Sequence, residues 1–400
     1  LTLIDGIAVR LGGARRVAVE CTDGYFATLG ILGAIAAGAT VIPFYSGYGN
    51  AADICDTVQP DVCLVRSTPA AWTAGGRSEK RECKRPTQAV AAILFTSGST
   101  GRPKGVCLSA ENLLFGVRAV LSYFSPPAGK RFLLARPLSH IAALTGDLLA
   151  SLFCGLHMHF FPERFHPLRL AAYIAANRIE YMNGTPTVLH CLARVGRPLP
   201  LKGCVLSGER LLASVARAIA DAFPRCRLYN ALGLTECSGK ATVLLPEDFL
   251  QKPGSVGKPL PGVVCEIDDG ELYLRSPGVM LGYLTEDGAD FVPSGGRLRT
   301  GDAVRIDGDG YWEVLGRTDD RINRAGVKIY PQEIENIVLR FPGVAECLVY
   351  GAPDALTGQR ICAEIRRADN IDWDGKAFSE FLRKELPPHM QIAEVLFVAR

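Results

Sequence analysis

The run Thr96-Ser97-Gly98-Ser99-Thr100-Gly101-Arg102-Pro103-Lys104-Gly105 has the chemistry of a polyphosphate site. Its glycines let backbone N–H groups approach phosphate oxygens closely. The hydroxyls add donors, and Lys104 adds a positive charge. It is not the P-loop of nucleoside triphosphatases: G-x-x-x-x-G-K-[ST] needs Ser or Thr after the lysine, and Gly105 stands there. A generic surface turn does not call for an unbroken run of Ser, Thr and Gly closed by Pro-Lys-Gly.

Regular elements must hold such a loop in place. Ala91–Phe95 reads as the strand that delivers the chain into it, within an alternation of strand and helix signals typical of α/β proteins. Strands are expected at 16–19, 40–43 and 62–65, and a helix at 25–37. The polar segment 67–87 reads as a surface loop. Further on, 168–177 and 212–223 read as helices, a strand ends at Ser207-Gly208, and 227–229 reads as another strand. From Gly254 short alternating segments with Asp-Gly turns predict a small β-rich subdomain over about 254–316. Ile334, Ile337, Val338 and Phe341, then Phe378, Phe381, Leu382 and Leu386, form two helical stripes in a small α+β tail. The expected fold is α/β: a large N-terminal domain of stacked α/β subdomains over 1–318, including the β-rich part, followed by a small mobile C-terminal domain over 319–400.

Composition narrows the function classes. Four hundred residues, 48% apolar and 21% charged, suit a globular chain of two or more domains. The 44 basic and 41 acidic side chains are too balanced to suggest a nucleic-acid partner. The thirteen cysteines form no Cys-x-x-Cys pair and no zinc pattern, so they read as reduced thiols of a cytoplasmic protein. The nearly uncharged stretch 26–44 is read as a buried helix, a stop at Gly38 and a core strand rather than a membrane span. No G-x-G-x-x-G follows an early strand, which removes a Rossmann dehydrogenase.

The loop of residues 96–105 resembles the T-S-G-[ST]-T-G-x-P-K-G loop of the adenylate-forming superfamily, which includes acyl- and aryl-CoA ligases, peptide-synthetase adenylation domains and firefly luciferase. The resemblance runs from about Asp23 to the C-terminus in the family's order. It continues through Tyr229-Asn230-Ala231-Leu232-Gly233-Leu234-Thr235-Glu236 and Arg299-Thr300-Gly301-Asp302 to Gly316-Arg317-Thr318-Asp319. The resemblance implies an ATP site in which Thr96, Ser97, Gly98, Ser99, Thr100, Gly101 and Lys104 hold phosphates, with Asn230 and Ala231 beside the nucleotide. It also implies that Thr235 lies by the phosphates, that Glu236 holds Mg²⁺, that Asp302 accepts from the ribose hydroxyls, that Arg317 contacts ribose or phosphate, and that Asp319 is a hinge. A carboxylate opposite a phosphate loop is what a hard cation bridging to triphosphate requires. Leu232 stands where the family usually stacks an aromatic residue on adenine. Lys328, in Arg324-Ala325-Gly326-Val327-Lys328, resembles part of a loop lining the pantetheine tunnel.

Arg136-Pro137-Leu138-Ser139-His140 resembles the segment that closes the acid pocket, with His140 on the substrate side. Ser207-Gly208-Glu209, Asn183, Leu232 and Gly233 are expected to line that pocket, Gly208 admitting a flat acid and Gly233 leaving room at its base. The implied reaction activates an aryl or small acyl acid with ATP and then transfers it to CoA or a carrier-protein pantetheine. An amino-acid-activating enzyme, a non-thiol acceptor, and a catalytically weak nucleotide-binding scaffold remain the alternatives. The family's closing Gly-Lys does not occur before Arg400, so its lysine either lies past that residue or is missing.

Overall fold

The computed structural model describes residues 2–49, 51–68, 71–75, 90–97, 103–285, 288–291, 296–368 and 373–398. Gly98, Ser99, Thr100 and Gly101 of the phosphate loop lie outside the described residues. The chain packs as two compact units, one of 1–266 with 273–298 and one of 267–272 with 299–400. The segment 299–318 was expected with the N-terminal part but packs in the second unit, where Ala303 and Leu315 are buried with Tyr330; the pairing of Arg297–Ile306 with Trp312–Arg317 places Asp302 opposite Arg317.

The first unit contains two large mixed sheets among the described residues. In one, the central strands Ala92–Ser97, Thr40–Phe44, Arg16–Glu20 and Val62–Thr68 are parallel neighbours. Pro103–Leu108 and Gly282–Thr285 extend this sheet antiparallel on one side. On the other side lies Ala71–Gly75, antiparallel to Val62–Thr68. The last pairing corrects the expectation of a surface loop from residue 67: Trp72 and Thr73 favour extended backbone and add an edge strand. The second sheet runs His157–Phe160, Arg131–Leu134, Tyr181–Gly184, Gly203–Ser207 and Arg227–Leu232 in parallel order, then antiparallel Thr242–Leu244 and Lys258–Pro259.

Apolar helices cover the parallel strands, as crossover connections require. Helix Gly24–Ala36 is capped by Asp23, whose Oδ1 accepts from Phe26 N–H at 3.1 Å. It stops before Gly38, held at φ +71°, and strand Thr40–Phe44 follows. The stretch 26–44 is therefore helix plus core strand, and no helix among the described residues is long and apolar enough to cross a membrane. Helix Ala110–Leu121 begins in a reciprocal cap between Ser109 and Asn112. The Asn112 amide also donates to the carbonyls of Pro277 and Val279, tying this helix to the segment before Gly282–Thr285.

In the second unit, a sheet of Val344–Asp354, Gly358–Arg367 and Glu394–Val398 carries helices Pro331–Val338 and Gly375–Glu385. Ile334, Val338, Phe378 and Leu382 are buried with Ile361 and Ile365. The helical stripes expected from the sequence are thus the faces that form this core. Phe341 lies beyond the first helix but still packs on Phe378 at 5.1 Å between ring centroids.

Candidate active site

The loop 233–240 follows strand Arg227–Leu232 and is fixed by close backbone approaches. A Cβ on Gly233 would lie 1.5 Å from the Gly239 carbonyl oxygen. Gly233 therefore does not leave room at the base of an acid pocket, as expected from sequence: backbone of the same loop already fills that space. Thr235–Cys237 forms one tight helical turn, and Ser238 closes it in the left-handed region at φ 58°. The Ser238 hydroxyl donates to the Gly278 carbonyl at 2.8 Å, and Met280 N–H donates to the Glu236 carbonyl at 2.8 Å. Behind the turn, a Cβ on Gly116 would lie 2.3 Å from the Ser238 carbonyl oxygen. Glu236 thus projects from a backbone anchored on three sides.

The phosphate end is set by a hairpin. Thr96 and Lys104 are directly opposite in the antiparallel pair Ala92–Ser97 and Pro103–Leu108, so the Gly-rich residues join two fixed strand ends. Ser97 pairs with Pro103 through its backbone. On the far side of Pro103–Leu108, Tyr283 sits opposite Val106. The Tyr283 hydroxyl donates to Glu236 Oε1 at 2.9 Å, and Lys104 Nζ lies 5.7 Å from the centre of its ring. One tyrosine therefore joins the lysine and the carboxylate that the sequence placed on separate motifs. Tyr283 itself was missed, since nothing in its local sequence sets it apart from an ordinary strand aromatic. Thr235 precedes Glu236 on the same turn, while Asn230 is buried with its amide donating to the Ser255 carbonyl at 2.7 Å. Ala231 is buried, and Leu232 is half-buried.

A single carboxylate is a sufficient protein contribution for Mg²⁺, which is usually held by one or two carboxylates with water and substrate phosphates. That fits Glu236, and no group of three or more His, Cys, Asp or Glu capable of holding a metal occurs among the described residues.

In the second unit, Asp302 and Arg317 meet: Arg317 Nη1 donates to Asp302 Oδ1 at 2.9 Å and to the Thr300 carbonyl at 2.8 Å. Gly301, at φ +73°, makes this possible, because a Cβ there would lie 2.5 Å from Arg317 Nη2. Lys328 is paired with Asp269 at 2.6 Å. Asp319 lies two residues after the strand Trp312–Arg317.

Two of the expected acid-pocket residues, Asn183 and Ser207, bond to a buried ionic network. His140 precedes a π-helical segment, Ala142–Leu149, which carries Asp147 into the interior. Arg136 Nη2 grips both Asp147 oxygens, at 2.8 and 3.0 Å, and Asn183 Nδ2 donates to Asp147 Oδ1 at 2.8 Å. Asn183 Oδ1 accepts from Val205 N–H at 3.1 Å, so both ends of this amide hold the network together. Arg136 Nη1 reaches Ser207 Oγ at 3.4 Å. Gly208 follows at φ +91°, and the nearest atom to its missing Cβ is Thr185 Cγ2 at 3.9 Å, which leaves the backbone open there. Glu209 turns to helix Pro186–Arg194, accepting from the Thr187 hydroxyl at 2.6 Å and from Thr187 N–H. His140 is reached by solvent although protein surrounds most of its ring; burial, then the nearby Arg136 charge, hold its pKa below the ordinary value.

Lys240 is a buried lysine that the sequence did not single out, since a lysine after Ser-Gly reads as solvated. It is only 4% exposed. Burial first, then repulsion from Arg136, lower its pKa to about 7, with Asp147 acting in the opposite direction.

With this geometry in hand, the relatives are consistent. The AMP-binding enzyme family matches residues 8–284, and the AMP-binding enzyme C-terminal domain matches residues 333–400. Among curated relatives, feruloyl-CoA synthase of an Amycolatopsis species is 32% identical over 78% of this chain and 66% of its own length. The 4-coumarate–CoA ligase-like protein 2 of Arabidopsis thaliana is 29% identical over 80% of the chain and 60% of its own length. The chain thus spans roughly three-fifths to two-thirds of these relatives. In structure, ATP-bound MatB from Rhodopseudomonas palustris superposes with a TM-score of 0.83 at 23% identity, over 99% of this chain and 88% of that one. The o-succinylbenzoate CoA synthetase of Bacillus subtilis, solved with its acyl-adenylate, gives 0.83 at 22% identity over 100% and 88%. At these identities the structural likeness establishes the α/β fold alone, while the sequence match over most of the chain establishes descent: the chain belongs to the AMP-binding enzyme family.

Proposed function

We propose that the protein activates an aryl or small acyl carboxylic acid with ATP, releasing pyrophosphate, and passes the acyl group to a thiol. The observation that carries this reading is Tyr283 bridging Lys104 and Glu236 beside the ends of the 96–104 hairpin. Both reactants are anions, so the chemistry needs charge neutralisation and in-line placement above all. Lys104, with Thr96, Ser97 and the loop between them, would hold the phosphates of ATP. Glu236, beside Thr235, would hold Mg²⁺, which when bound draws charge from the phosphates. Asp302 and Arg317 would take the ribose, Arg317 being half exposed and able to share itself between Asp302 and a ligand.

A carboxylate oxygen of the acid then attacks the ATP α-phosphorus, and the bond to the pyrophosphate oxygen breaks. In the second half-reaction a thiolate attacks the acyl carbon and AMP leaves. CoA is the favoured thiol, because CoA ligases recur among the relatives; a carrier-protein pantetheine is the alternative. Asp319 is the proposed hinge about which the C-terminal residues move between the two half-reactions. The cytoplasmic placement rests on the scattered cysteines of the sequence, which form no disulfide or zinc pattern.

The test is acid-dependent ATP–pyrophosphate exchange by the full-length protein over a panel of aryl, acyl and amino acids. Exchange is expected with aryl or short acyl acids and should fall about 100-fold in Lys104→Met and in Glu236→Gln. Exchange that survives both substitutions, or none with any acid, would remove this reading. Exchange only with α-amino acids would shift it to amino-acid activation.

A further inference from the structure

Asn112 has no part in the chemistry outlined above, yet it holds the segment against which Glu236 rests. Its side chain is buried, and every polar atom of its amide is used. Oδ1 accepts from Ser109 N–H at 2.9 Å, while Nδ2 donates to the carbonyls of Pro277 at 2.8 Å and Val279 at 3.0 Å. These bonds fix the amide's orientation, because two carbonyls need the NH₂ and an N–H needs the oxygen. An aspartate here would keep the acceptor but set a negative oxygen against two carbonyl oxygens.

Residues 277–281 run between helix Ala110–Leu121 and the turn that carries Glu236. On the helix side they are held by Asn112. On the turn side the Gly278 carbonyl accepts from Ser238 Oγ at 2.8 Å, and Met280 N–H donates to the Glu236 carbonyl at 2.8 Å. The fit has no slack: a Cβ on Gly278 would lie 2.7 Å from Phe115 Cδ1 on the helix and 3.0 Å from the Cys237 carbonyl oxygen on the turn. Leu281 N–H then donates to the Cys107 carbonyl at 2.9 Å, and strand Gly282–Thr285 follows, where the Tyr283 hydroxyl donates to Glu236 Oε1 at 2.9 Å. This stretch thus reaches Glu236 twice, at its backbone carbonyl through Met280 and at its carboxylate through Tyr283, and Asn112 pins its start. We propose that Asn112 is a positioning residue for adenylation: by holding 277–279 it sets the Glu236 carboxylate for Mg²⁺ without meeting substrate or metal itself. The inference rests on the adenylation reading and adds a residue to it.

The experiment measures Mn²⁺, in place of Mg²⁺, binding to the full-length protein with a non-hydrolysable ATP analogue, free Mn²⁺ being read by electron paramagnetic resonance. The Mg²⁺ dependence of ATP–pyrophosphate exchange is measured alongside, and thermal unfolding reports stability. Asn112→Asp keeps the acceptor for Ser109 N–H and removes both donors, while Asn112→Ala removes the whole amide. Ser109→Ala is the control: it deletes the other half of the cap, in which Ser109 Oγ accepts from Asn112 N–H at 3.1 Å, and leaves the amide in place. Both Asn112 variants are expected to bind Mn²⁺ about 3- to 10-fold more weakly and to need correspondingly more Mg²⁺ for half-maximal exchange, an effect no larger than that of a partner bonded directly to the metal-binding carboxylate. Ser109→Ala should lose stability and keep wild-type metal binding. Wild-type Mn²⁺ binding in folded Asn112 variants would overturn the proposal, and so would an equal weakening in Ser109→Ala, which would make Asn112 a helix cap only. Ser238→Ala loosens the same segment from the turn side and carries the test where neither Asn112 variant folds; wild-type Mn²⁺ binding there would overturn the proposal too. Exchange by the wild type with no acid at all would remove the adenylation reading and this inference with it.

Discussion

Asp147→Asn tests the buried network of Arg136, Asp147 and Asn183 most directly. Asparagine keeps the volume and one acceptor but removes the charge. Arg136 Nη2 would then lose its bidentate partner at 2.8 and 3.0 Å, and Arg136 Nε its contact at 3.2 Å. The Asp147 side chain is 1% exposed and that of Arg136 13%, so water cannot replace what is lost. Arg136 would be left as an interior cation without its carboxylate partner. Breaking a buried pair by removing one partner typically costs about 3–5 kcal/mol. Urea unfolding followed by circular dichroism would show the midpoint falling with little change in slope. Arg136→Met and the double variant close a thermodynamic cycle, in which the double variant should be less destabilised than the sum of the singles. A loss below about 1 kcal/mol for Asp147→Asn, or strict additivity, would refute the claim that this pair is a buried, mutually dependent unit.

Lys240→Met should stabilise the protein in a pH-dependent way. The folded-state pKa of Lys240 lies at about 7, below its ordinary 10.5, so the unfolded chain binds more protons between those values. The penalty is complete below about pH 7, fades as pH rises and is gone above the ordinary value; its ceiling is about 5 kcal/mol. A difference between variant and wild-type stability that stays flat from pH 6 to 10 would contradict this. Tyr283→Phe removes the donor to Glu236 and should lower exchange about 3- to 10-fold with the fold intact; unchanged kcat/KM would show the bridge to be idle. Gly233→Ala forces a Cβ onto the Gly239 carbonyl and should cost about 3 kcal/mol or more, displacing Glu236; a stable variant with only a changed acid preference would restore the pocket role that the packing denies.

Sequence alone was enough where a motif is continuous. Residues 96–105 and 229–236 announced a nucleotide chemistry because backbone approach to phosphate requires glycine and hydroxyl residues in a fixed local order. The helical stripes of the tail and the helix–Gly38–strand reading of 24–44 were equally local, and the folded chain buries those faces. The edge strand Ala71–Gly75 was not legible, because its polar flanks hide a pairing that only its neighbour Val62–Thr68 supplies.

Tertiary structure decided everything that depends on residues far apart in the chain. Tyr283 joins Lys104 to Glu236 across three segments, and Arg136, Asp147, Asn183 and Ser207 meet from separate segments without a shared motif. It also reversed Gly233, which reads as empty space in one dimension and is backbone contact in three. Lys240 shows the reason most clearly. In sequence a lysine carries the same charge wherever it stands, and only the burial and the neighbours created by folding lower the pKa of this one.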